Sequence, residues 1–125
     1  MDKAEAYSRC GAANHVEFLL GGLVKAIDEA VGNTVPSAID GVKARAAQIA
    51  SEVRGDFPAI ADYMDDALRG ALAAAEYVND GDADAGRRKL NMSVRFDAVH
   101  AMGLACLERQ RAIDAIPLEG VVDGD

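Results

Sequence analysis

Residues 60–78 read IADYMDDALRGALAAAEYV. Their apolar positions Ile60, Met64, Ala67, Ala71, Ala74 and Val78 follow one another in alternating steps of four and three. That spacing keeps one apolar line on one side of an α-helix and marks helices packed at a shallow angle. The same rhythm runs upstream through Ile39, Val42, Ala46, Ile49 and Val53, and before that through Val16, Leu20, Leu23, Ile27 and Ala30. A strand would alternate with a period of two, and no segment does so.

The punctuation between these segments fits helix ends. In VGNTVPS (residues 31–37) Gly32 closes the first helix and Pro36 suits the first turn of the second. In RGDFP (residues 54–58) Gly55 ends the second helix, Asp56 is the expected cap and Pro58 fits an early helical position. VNDGDADAG (residues 78–86) leads into a fourth helix running to about Ile116, where Pro117 stops it. Connections this short make neighbouring helices antiparallel. The expected fold is therefore all-α, an up-down-up-down four-helix bundle over residues 1–116, with residues 117–125 as an acidic tail. Asp2 is placed to cap a first helix carrying Ala6, Cys10 and Ala13, while Asn14 with Glu17 resembles a capping box for a later start. One long N-terminal helix bent near Gly11–Asn14 is expected, with a split helix as the alternative.

Composition supports this. Half of the 125 residues are hydrophobic but only 5% are aromatic, there is no Trp, and much of the apolar share is Ala. Such a composition favours close-packed helices over sheets. The net charge of −8 argues against sequence-independent binding to nucleic acid or anionic lipid, both of which need positive contact surfaces. No secretory signal opens the chain and no apolar run approaches a membrane span, so a cytoplasmic location is expected. Cys10 and Cys106 form no CxxC pair and are expected to be buried free thiols.

Three features invite a chemical reading. Asp80, Asp82 and Asp84 alternate like the first ligands of a calcium loop, but Ala85 stands where the loop needs Gly and Asn91 where it needs Glu. The expectation is instead a turn at Gly81 with Asp82 or Asp84 capping the fourth helix. Arg87, Arg88 and Lys89 are then offset by the neighbouring aspartates. Second, Asp97 and His100 have the spacing of a metal-holding pair on a bundle helix, yet such centres need two pairs and two further carboxylates. His15, the other histidine, has no acid three residues before it. Asp97 and His100 remain the candidates for an alternative metal- or small-ligand-binding function, and no cofactor is expected. A phosphoryl-accepting His100 would be followed by a Lys, which HAMGLAC lacks. Third, Tyr63 and Tyr77 flank Gly70 two heptads apart, a ring-lined groove wide enough for another helix or simply two half-buried rings.

The stretch AVHAMGLACL (residues 98–107) is apolar on every side except at His100. A helix on the edge of a small bundle should show a polar stripe, so this one is expected to be buried all round. Its excess apolar surface is then covered by a second copy or by another helical protein, through Val99, Met102, Leu104, Cys106 and Leu107. No nucleophile elbow, phosphate-cradling loop or dinucleotide fingerprint occurs. The expected function is thus that of a non-catalytic interaction protein.

Overall fold

A computed structural model describes residues 2–116. The chain folds as α1 (Lys3–Gly32), α2 (Pro36–Val53), α3 (Pro58–Asn79), α4 (Ala83–Lys89), a π-helical turn (Leu90–Val94) and α5 (Arg95–Asp114). Backbone angles stay right-handed helical at Lys89, Leu90, Val94 and Arg95, so α4, the π turn and α5 form one continuous rod.

Cross-helix contacts give the topology. Arg9 near the start of α1 pairs with Glu108 near the end of α5, and Asp28 near the end of α1 pairs with Arg95 at the start of α5. These two helices are therefore antiparallel. On α3 and the rod, Tyr63 meets His100, Gly70 meets Val94 and Gly86 meets Val78, again with numbers rising on one side and falling on the other. Arg54, just past α2, bonds Asp65 on α3 at 2.8 Å across the short connection. Each helix packs on its two chain neighbours, α1 closes the ring against α5, and the diagonal pairs α1–α3 and α2–α5 do not approach closely among the described residues. This is an up-down-up-down four-helix bundle.

The ends are set by local chemistry. The Asp2 carboxylate accepts from the Glu5 amide at 2.7 Å, and α1 then continues unbroken to Gly32, passing through Gly11 and Asn14. Thr34 Oγ1 donates to the Ala30 carbonyl at 2.8 Å and satisfies a helix-end acceptor. Between α2 and α3 the expectation of an Asp56 cap fails: α2 ends at Val53, Phe57 takes the cap position and no side chain caps α3. Phe57 is buried at this end of the core with the Arg9 guanidinium 5.1 Å above its ring. Burying a ring contributes more than a capping hydrogen bond would. Gly81 turns the chain with φ +88°, and Asp82 caps α4 by accepting from the Ala85 amide at 3.0 Å.

The core is built from unequal partners. α1 and α2 supply Leu20, Leu23, Ile27, Ile39, Val42 and Ile49, whereas α5 supplies Ala98, Ala101, Ala105 and Ala112. Facing large residues with small ones lets the helices lie close without voids. The closest approaches need glycine. A Cβ on Gly70 would sit 2.8 Å from Val94 Cγ2, and one on Gly86 would sit 2.8 Å from Val78 Cγ2 and 3.0 Å from the Ala74 carbonyl oxygen.

Candidate functional site

The rod has two apolar faces. One consists of Ala98, Ala101, Ala105 and Ala112 and is buried in the bundle. The other consists of Phe96, Val99, Gly103 and Leu107, spaced three, four and four, and points away from the bundle. Phe96, Val99 and Leu107 are 56%, 51% and 45% exposed, and Met92 in the π turn is 70% exposed. The expectation that residues 98–107 are buried all round is thus corrected: small residues line the inside and large ones the outside. Among the described residues nothing covers the outer stripe.

The five residues expected at an interface divide accordingly. Val99, Cys106 and Leu107 lie on the outer face. Leu104 is half-buried on the side of α3, beside Phe57, Pro58 and Ile60. Met102 is half-buried and packs on the core; it shares a helical line with Arg95 and Arg109, which reach Asp28 and Glu17 on α1. Phe96 and Met92, which lie just before the apolar run 98–107, also belong to the outer surface. The signal was present as two interleaved stripes, one of alanines and one of larger residues.

Gly103 forms the floor of an open apolar hollow of about 370 Å³ walled by Tyr63, Val99, His100 and Leu104. A Cβ at Gly103 would meet nothing within 4 Å. Glycine inside a helix costs about 1 kcal/mol relative to alanine, and here no contact among the described residues requires it. Gly70 contrasts with it. Of the two readings of Tyr63 and Tyr77, the groove is closed by this same chain, because Val94 and Ser93 fill the space over Gly70, and the rings are a half-buried Tyr63 and an exposed Tyr77. Tyr63 instead stacks on His100, ring centres 5.8 Å apart, and Phe96 packs against the other part of that imidazole at 4.0 Å.

His100 and Asp97 serve different surroundings. His100 is exposed, although it lies in the run expected to be buried all round, and its Nδ1 lies 3.0 Å from the Phe96 carbonyl oxygen. Asp97 is buried and lines a separate polar hollow with Asp66, Arg69, Lys89 and Ser93. No group of three metal-ligating side chains occurs among the described residues. The aspartates of residues 80–84 are engaged locally: Asp82 caps α4, while Asp84 pairs with Arg87 and with Arg88. Cys10 is partly buried and Cys106 exposed; both are free thiols, and the expectation of burial fails for Cys106 because it falls on the outer side of α5.

Burial, and next the nearby Asp66 charge, raise the Asp97 pKa, with His100, Arg69 and Lys89 opposing the shift. A carboxyl raised in the folded state stabilises the fold fully below its unfolded pKa and loses that contribution as pH rises through the folded one. Asp97→Asn is therefore expected to raise Tm at pH 7. The gain should shrink as pH falls through the raised folded pKa and vanish below the ordinary carboxylate value of about 4. Paired melts of parent and variant at several pH values check this; a variant less stable than the parent at pH 7 sinks it.

No known family model matches the chain, and no curated protein or solved structure matches it. No helix among the described residues is long and apolar enough to cross a membrane.

Proposed function

We propose that this chain is a non-catalytic contact protein whose working surface is the outer face of α5. The observation that carries the reading is the second apolar stripe, Phe96, Val99, Gly103 and Leu107, on a helix whose inner face already supplies the bundle core. Contiguous exposed apolar surface of this kind marks an interaction site in a folded protein. A stripe spaced three and four residues apart fits another helix best. The partner is a second copy or a different helical protein, with neither nucleic acid nor membrane involved. The cytoplasm is the setting this reading assumes, and an exposed thiol at Cys106 suits a reducing compartment.

The test is a photo-crosslinking amino acid placed at Val99, compared with one at Ala44, an exposed position on α2. In the expressing cell Val99 should give a discrete adduct and Ala44 none. Adding Leu107→Asp, a change at an exposed position that costs the fold little, should abolish the adduct. Equal labelling from Val99 and Ala44 would remove the basis for the proposal.

A further inference from the structure

Building on that reading, we infer that the occupant of the α5 outer face is a second copy of this chain, bound by an antiparallel two-fold pairing of α5 in which Leu107 of each copy enters the Gly103 hollow of the other.

Shape is the first argument. Gly103 and Leu107 are four residues apart on the same face, so a projecting side chain lies one helical turn from a hollow. A two-fold interface is isologous: if residue i meets j, then j meets i. Running two α5 helices antiparallel with the axis between these positions satisfies both contacts at once. It also gives Gly103 a role, since a larger residue would fill the hollow that receives the partner's Leu107.

Charge is the second. The chain as a whole is at −8, yet residues 83–114 carry six Lys and Arg against four Asp and Glu, so the rest of the chain holds a net −10. The rod is thus the side on which two copies approach with least repulsion. Its arginines beside the stripe are already engaged within the chain: Arg95 with Asp28, Arg109 with Glu17 at 3.0 Å, and Arg111 with Glu108 at 3.3 Å. A rim of closed ion pairs calls for neither an acidic nor a basic partner and suits an identical rim.

Area is the third. In this pairing the exposed shares of Phe96, Val99 and Leu107 bring on the order of 300 Å² of apolar surface per copy into the contact. A standard interface takes about 800 Å² from each partner, of which roughly 56–65% is apolar. The stripe supplies more than half of that apolar share, and the exposed Gln110, Arg111 and Asp114, which this register sets opposite Val99 and Phe96 of the other copy, supply the polar part.

The experiment is sedimentation equilibrium of the full chain from micromolar to about 100 µM, with Gly103→Leu, Leu107→Ala and Phe18→Ser. The parent should be a dimer. Leu107→Ala should weaken it about a hundredfold, because a symmetric contact is lost twice. Gly103→Leu should be a monomer with undiminished helix content, since open space surrounds that position and leucine is the better helix former. Phe18 is the most exposed large apolar residue among the described residues and lies on α1; Phe18→Ser should leave the dimer intact. A parent that stays monomeric at 100 µM overturns the second copy while leaving the contact surface itself standing. A dimer indifferent to both α5 variants overturns the inference and the proposed function together.

Discussion

Leu23→Ala is expected to remove about 3–4 kcal/mol of folding free energy, the upper half of the range for large-to-small core changes. Leu23 is fully buried on α1, in a layer whose other large members are Leu20 and Ile27. The facing helix α5 offers Ala98, Ala101 and Ala105, which have no side-chain torsions with which to move inward. The cavity therefore stays open, and the cavity cost adds in full to the lost transfer free energy. Against a total stability of 5–15 kcal/mol typical of domains, that loss is a large fraction. Urea unfolding measures it: Cm should fall while m stays constant. Leu72→Ala on the outer side of α3, where the side chain is already half exposed, should cost under about 1 kcal/mol by the same assay. Similar losses for the two variants would mean that the core is not closely packed.

The inner faces of α1, α2 and α3 were legible because each repeats a strict alternation of three and four. Every residue of the first two seams is buried, and the third fails only at Val78, which is half-buried beside Gly86. The turn at Gly81 and the Asp82 cap were legible because glycine at positive φ and a carboxylate at a helix start are local effects. What was not legible depended on comparing two sides of one helix. Composition alone makes residues 98–107 look uniformly apolar, whereas the division lies in size, with alanines inside and Phe96, Val99 and Leu107 outside. Asp97 and His100 share a three-residue spacing, but about 60° of helix rotation between them, with different neighbours, sends one into a polar hollow against α3 and leaves the other on the surface. Gly70 and Gly103 looked equivalent in sequence. Val94 sits over one and nothing among the described residues sits over the other, a distinction that exists only after the helices have packed.

Deleting Asn91 should be tolerated at a cost under about 1 kcal/mol, while deleting Ala101 should abolish the cooperative fold. The inward positions of the rod are Gly86, Leu90, Val94, Ala98, Ala101 and Ala105, spaced four, four, four, three and four. Three successive steps of four exceed the 3.6-residue turn and would carry the inner line about 120° around a regular helix. The π turn at Leu90–Val94 absorbs that excess as one inserted residue. Removing Asn91 restores four, three, four, three, four, the rhythm of α3, and lets the turn close as an ordinary α-helix. Asn91 is exposed, and its side chain is seen to accept from Arg95 Nε at 3.0 Å. Ala101 lies beyond the insertion, where the spacing is already regular. Its loss would rotate every following residue by about 100°, swinging Ala105 and Ala112 out of the core and uncoupling Arg109 from Glu17. Circular dichroism and urea unfolding of the two deletions separate the cases. If deleting Asn91 proves as disruptive as deleting Ala101, the π turn is not a one-residue insertion and the alignment of the two faces of α5 needs another cause.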